Sequence, residues 1–226
     1  YRGAIPNAGP RVALTFDMGG RMVPAIRIVK LLIANRVCAT IFPTGRQARD
    51  SVEGPQVMAL IKAHPELFEL GNHTMHHCDL AMGGGGSPSY TDVNYCKTAG
   101  SNPSAAFIQD ELLDAEAILE AATGFNVKPY WRAPMGMRDA SVLEAAAAVG
   151  YDHHFGWDID TIDWRPISDG GPTARSMALK VVDNAKSGSV VLMHLGGFET
   201  LDALQAMIDG LRSRGFILTT VSDMLN

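Results

Sequence analysis

The chain has 226 residues, 46% of them hydrophobic, which is enough for one sizeable α/β core. A formal net charge of −5 and a pI near 5.8 exclude a nucleic-acid binder, which needs a basic stripe against phosphates. No polybasic run suits an anionic membrane surface, and no apolar run approaches the ~18 residues of a membrane span, so membrane insertion is excluded as well.

Short β-rich runs alternate with helical patterns. Residues 12–16 read as a buried strand, and apolar residues recur at helical spacing over 23–35. A second strand, 38–42, is closed by Pro43 and Gly45. A helix over 55–64 carries Pro55 in its first turn, and a third strand, 68–71, leads into a histidine-rich stretch. Residues 83–103, with four consecutive glycines, read as a loop. A long helix runs from the N-cap Ser104 to 122 and stops at Gly124. Strands follow at 127–131, 151–157, 189–193 and 216–218, and helices at 140–149, 173–185 and 201–214. This alternation predicts an α/β fold of about seven parallel strands, open or closed into a barrel, as a single domain over 1–226.

The polar and titratable clusters fall where strands end: Asp17, His73, Arg132, the stretch 158–163 and His194. In parallel α/β folds that is where sites are built. His73 and His77 are four residues apart. If the stretch turns helically, both imidazoles share one face and suit one metal ion. Two histidines do not close a zinc site, which wants a third ligand and an open position for water.

The ordered motifs are Thr15-Phe16-Asp17, His73-Thr74-x-x-His77, Arg132-Ala133-Pro134-Met135-Gly136, Asp160-x-x-Asp163-Trp164 and Leu192-Met193-His194. Together they resemble the polysaccharide deacetylases, carbohydrate esterase family four, which share the NodB-homology domain. The resemblance spans residues 12–197 and implies a distorted (β/α) barrel that hydrolyses acetyl groups of carbohydrates, usually N-acetyl groups. It implies Asp17 as general base, oriented by Arg132, and His194 as general acid, tuned by Asp163. It implies His73 and His77 as ligands of a divalent metal, zinc by preference. The backbone N–H of Met135 becomes an oxyanion donor, and Trp164 and Leu192 line the acetyl pocket. Acetylated polysaccharide or oligosaccharide is the implied substrate, and the protein is expected to act as a monomer.

One position departs from the family pattern. The second aspartate of the first motif, usually the third metal ligand, is Met18 here, and a neutral thioether suits zinc poorly. Asp79, or a rotated Asp17, is an alternative third donor. The readings therefore include a de-N-acetylase of glucosamine- or muramic-type glycans, an O-acetyl esterase of xylan type, and a non-catalytic glycan-binding relative. Cys38 reads as a small buried hydrophobe. Cys78 and Cys96 flank the glycine-rich excursion and are either a staple or two free thiols. A staple places the protein in an oxidising, extracytoplasmic compartment, secreted or at the cell envelope, its targeting segment not visible in a chain that starts at Tyr1. Tyr90 and Tyr95 on the excursion are candidates to stack on a sugar ring.

Overall fold

The computed structural model describes residues 1–86 and 92–226. Its first strand shows how the fold is built. In β1 (Arg11–Met18), Val12, Leu14, Phe16 and Met18 lie two residues apart and all enter the main apolar core. The alternate positions face the other way: Ala13 belongs to a second, smaller core, while Thr15 and Asp17 are buried polar groups. Both faces of this strand are covered, as a parallel sheet requires.

Around β1 the chain lays down α1 (Ala25–Ala34), β2 (Ala39–Pro43), α2 (Gly45–Asp50), α3 (Gly54–Ala63), β3 (Phe68–Leu70), α4 (Asp92–Lys97) and α5 (Ala105–Thr123). There follow β4 (Tyr130–Trp131), α6 (Ala140–Ala147), β5 (His153–His154), β6 (Ile159–Asp160), α7 (Ala174–Asn184), β7 (Val190–His194), α8 (Thr200–Ser213) and β8 (Ile217–Thr219). Helix α1 buries Ala25, Ile28, Val29 and Leu32, the spacing of one helical face. Helix α5 starts at Ser104, whose hydroxyl accepts the Phe107 N–H, and ends at Gly124 with φ 79°. No helix among the described residues is long and apolar enough to cross a membrane.

Every pairing between the named strands is parallel; the one antiparallel bridge among the described residues, Cys78 with Gly85, lies outside them. The main sheet runs β3-β2-β1-β7-β6. One edge of β1 is shared, β8 taking Arg11 to Ala13 and β2 taking Thr15 to Met18. The short β4–β5 pair continues the wall through a parallel bridge between Asn72 and Trp131. No ladder joins β5 to β6 among the described residues, so the barrel is distorted and open at that seam.

The sequence undercounts the elements in three places. Strand β6 is only two residues long, too short to show alternation, and sits in the polar stretch 158–163. There Asp158 accepts the Val190 N–H, and Asp160 accepts the Ile162 N–H. Helix α2 is six residues, too short to show a period, and is fixed instead by its cap: Thr44 Oγ1 accepts the Gln47 N–H. The stretch 83–103 reads as a loop but contains α4. Strands β4 and β5 are shorter than expected; Pro129, just before β4, offers no N–H to a ladder. Cys38 is free and only half-buried, packing against the edge of the core just before β2.

Candidate active site

Parallel pairing places Asp17 directly beside His194, its register partner across β1 and β7. Both stand at the C-terminal ends of their strands. Asp17 Oδ1 accepts Arg132 Nη1 at 2.7 Å, and Thr15 Oγ1 accepts from the same nitrogen at 3.0 Å. Arg132 is completely buried. Its Nε donates to Phe155 O at 2.9 Å and Nη2 to Gly156 O at 3.2 Å, and the guanidinium lies 4.2 Å from the Phe42 ring centroid. A buried cation is tolerable because every nitrogen finds an acceptor and one acceptor is charged. Burial alone would raise the Asp17 carboxyl. The charges of Arg132, His73 and His194, with the Arg132 hydrogen bond, outweigh burial and hold it below the usual carboxylate range.

The histidine loop is not helical. Thr74 and His77 adopt left-handed φ of 69° and 62°, and this turn, rather than a helix face, brings the two rings to 5.0 Å, edge to face. Asn72 anchors the turn from within the core. Its Nδ2 donates to Leu112 O at 2.8 Å and to Tyr151 Oη at 2.9 Å, and its Oδ1 accepts the Thr74 N–H at 2.8 Å. Glu111, buried on α5, accepts the His76 backbone N–H at 2.9 Å and takes the His76 ring at 2.6 Å, turning that ring away from the pair. Gly19 is required here, because a Cβ would collide with the His77 imidazole.

His73 Nδ1 donates to Arg132 O at 2.8 Å, so the neutral ring carries its lone pair on Nε2. That Nε2 is buried without a hydrogen-bond partner and lies 3.5 Å from Asp17 Oδ2. A ligand histidine has this form: the far nitrogen fixed on a carbonyl, the near one free. Burial pushes both imidazoles toward the neutral form that binds metal, His77 to about 3 with His73 adding to the shift. Neither Met18 nor Asp79 joins the pair as a third donor. Met18 is 1% exposed and packs with Val12, Leu14 and Phe16 in the main core, on the face opposite Asp17. Asp79 Oδ1 instead accepts the N–H groups of Ala81 and Met82, capping the next turn. Among the described residues, no three His, Cys, Asp or Glu side chains gather to hold an ion.

His194 is held by Asp163 on two atoms. Asp163 Oδ1 takes the ring Nδ1 at 2.7 Å and Oδ2 takes the backbone N–H at 2.8 Å. Thr200, fully buried at the start of α8, donates its hydroxyl to the same Oδ2 at 2.5 Å. Gly197 must lack a side chain, since a Cβ would strike both Thr200 Oγ1 and Asp163 Oδ2. Burial alone would lower the His194 imidazole; the hydrogen bond and charge of Asp163, then the charges of Asp17 and Asp160, raise it above the usual range.

Asp17, His77 and His194 open into a cavity of about 530 Å³ walled by Trp157, Trp164, Met135, Leu192, Arg21 and Phe198. Met135 sits in a turn with φ 55°, followed by Gly136 with φ 70°. A Cβ on Gly136 would meet Trp157 Cη2 at 2.8 Å, so glycine lets the indole pack on the turn. The structure thus brings Asp17, Arg132, His73, His77, Asp163, His194, Met135, Trp164 and Leu192 to one place. Tyr95 is elsewhere: its ring lies 4.2 Å from His76 and 5.7 Å from Phe107, away from the cavity wall. Tyr90 lies outside the described residues. Cys78 and Cys96 are joined by a disulfide with Cα atoms 5.2 Å apart, fastening α4 to the histidine loop.

Arg21, Trp157, Phe198, Asn72 and Thr200 belong to no motif read from the sequence. Their signal is position, since each lies within a few residues of a strand end that carries a site group.

The sequence model of the polysaccharide deacetylase family matches residues 4–154. A peptidoglycan-N-acetylglucosamine deacetylase of Bacillus cereus is 29% identical over 227 residues, covering 98% of this chain and 91% of the relative. A peptidoglycan-N-acetylmuramic acid deacetylase of Bacillus subtilis is 26% identical over 214 residues, covering 95% of this chain and 71% of the relative. A solved structure described as a mutant CE4 family pseudoenzyme with restored enzymatic activity superposes with a TM-score of 0.76 at 25% identity. It covers 100% of this chain and 70% of that one.

Proposed function

The chain belongs to the polysaccharide deacetylase family, and from that premise we propose that it removes N-acetyl groups from a glycan containing N-acetylglucosamine or N-acetylmuramic acid. Names of the relatives from both Bacillus species support this substrate class. One observation carries the chemistry: two register partners, Asp17 and His194, whose environments push their pKa values in opposite directions. Such a pair supplies a base and an acid to one bond.

Asp17, kept ionised and oriented by Arg132, takes a proton from the attacking water. The water oxygen bonds to the acetyl carbon, the carbonyl electron pair moves onto oxygen, and the Met135 N–H donates a hydrogen bond to that oxyanion until its collapse re-forms the carbonyl. His194, kept protonated by Asp163, gives its proton to the sugar nitrogen as the C–N bond breaks. The products are acetate and a free amine. Trp157, Trp164 and Leu192 exclude water around the acetyl group.

His73 and His77 are the residues that would hold a divalent ion, zinc being the one imidazoles suit. When bound, it would supply Lewis-acid polarisation of the acetyl carbonyl and a more acidic water. The orphaned Nε2 of His73 supports this assignment; among the described residues no third His, Cys, Asp or Glu gathers there, so waters or substrate would have to supply the remaining donors. All of these groups come from one chain, so a monomer suffices. Action on cell-wall glycan and the Cys78–Cys96 bond both support an extracytoplasmic location.

The core-facing Met18 favours a second reading, a catalytically weak glycan binder. Acetate release from N-acetylated peptidoglycan fragments and chitooligosaccharides decides between them. The deacetylase reading expects release by the wild type, lowered about 10²–10⁴-fold in Asp17→Asn and His194→Ala. Wild-type protein that binds these glycans and releases no acetate establishes the binder. Release from acetylated xylan alone establishes an O-acetyl esterase.

A further inference from the structure

The proposed hydrolysis leaves Arg21 unused, although it lines the same cavity. Arg21 lies four residues past Asp17. Its Nη1 donates to Gly196 O at 2.8 Å and more weakly to Gly197 O at 3.5 Å, and its guanidinium stands 4.6 Å from the Phe198 ring centroid. These contacts fix the plane of the fork. Among the described residues no carboxylate pairs with Arg21, and its Nε and Nη2 donate to no protein group.

Arg21 is exposed, yet a cation held at one nitrogen and placed against a ring has given up part of its rotamer freedom. Its remaining donors are therefore ready for a planar acceptor with two oxygens, at reduced entropic cost. The acids on the same wall do not compete for it. Asp17 is committed to Arg132, and Asp160 Oδ1 holds the Ile162 N–H. Their charges instead repel an anion, which leaves the Arg21–Phe198 side as the place where one can settle. Gly196 is two residues past His194, at most ~7 Å of chain. Arg21, Asp17 and His194 line one cavity, so an anion on Arg21 would lie on the reacting sugar or its immediate neighbour.

We propose that Arg21 binds a carboxylate of the glycan beside the reacting acetamido group, which makes the substrate an anionic amino-sugar chain rather than a neutral chitin-type one. This rests on the deacetylase reading and sharpens its substrate. The carboxylate has two chemical sources, a lactyl ether on the amino sugar or a neighbouring uronic acid. The competing role for Arg21 is a clamp between the loops after β1 and β7.

Calorimetric titration separates these possibilities. The ligands are a lactyl-bearing N-acetylmuramic oligosaccharide and a uronate-bearing N-acetylglucosamine oligosaccharide, each as free acid and as neutral amide. The protein carries Asp17→Asn to prevent turnover, with and without Arg21→Gln or Arg21→Lys. One acid is expected to bind about tenfold or more tightly than its own amide, and that acid identifies the source. The ratio should fall to about one with Arg21→Gln and be partly kept with Arg21→Lys. No acid preference for either pair overturns the inference, as does an Arg21→Gln change that weakens acid and amide alike. Acetate release by protein retaining Asp17 is read on the same ligands. No release with the acid preference intact refutes the reaction and leaves the carboxylate site standing.

Discussion

Asp163 grips His194 through two atoms of one residue, the ring Nδ1 at 2.7 Å and the backbone N–H at 2.8 Å. The first bond charges the ring, and the second fixes the strand end that carries it. Protonated His194 is stabilised by the fold, since its pKa lies above the ordinary value even though burial opposes the charge. Its contribution to stability is therefore full below the unfolded value of about 6.5 and is lost as pH rises through the raised folded value. In Asp163→Asn, the alkaline limb of kcat/KM should move to lower pH by about one unit or more. The Tm deficit of the variant should be largest below that unfolded value and narrow above it. An alkaline limb that does not move would remove Asp163 from this role.

Thr200 completes the arrangement by donating to the Asp163 oxygen that also holds the His194 backbone. Thr200→Val keeps the shape and removes the donor. The lost bond to a buried carboxylate costs about 1–3 kcal/mol. The expected outcome is a kcat lowered about 3- to 30-fold with KM little changed, and recovery in Thr200→Ser. Equal loss in the serine and valine variants would mean that Thr200 acts through packing alone.

Met18 is buried in the main apolar core, on the face of β1 opposite Asp17. Without metal, Met18→Asp should lower Tm, because a carboxyl in that core costs about 1–3 kcal/mol. With zinc at about 100 times its Kd, an aspartate that reaches His73 and His77 recovers about 2.7 kcal/mol. Zinc should therefore raise the Tm of Met18→Asp more than that of the wild type. An equal response in thermal melts would show that the carboxylate stays on the core side.

Asn72 ties three parts of the chain to the start of the histidine loop. In Asn72→Ala, the Leu112 carbonyl and Thr74 N–H lose buried partners, at about 1–3 kcal/mol for each group left unpaired. Both a lower Tm and weaker zinc binding by calorimetry are expected, since the turn that aims His73 loosens. Unchanged zinc affinity alongside a lowered Tm would confine Asn72 to stability.

The sequence by itself determined the parallel α/β alternation and the family, and it marked the polar residues at strand ends that the structure brings together around one cavity. It could do so because strands with both faces buried and strand ends bearing polar groups leave local, periodic marks, visible at Val12, Leu14, Phe16 and then Asp17. Tertiary structure alone decided the rest. A helical spacing made His73 and His77 look paired, yet two left-handed residues join them, a conformation that composition does not encode. Tyr95 looked like a sugar platform from its loop, but the disulfide and α4 direct it to His76. Thr200 and Arg21 are marked in the sequence only by lying near strand ends; what they hold is decided by the fold, because their partners, Asp163 and Gly196, are supplied by distant segments. Met18 was legible as a departure from the family motif, and only the pleat of β1 shows where it goes: one residue past Asp17, alternation sends its side chain to the opposite face.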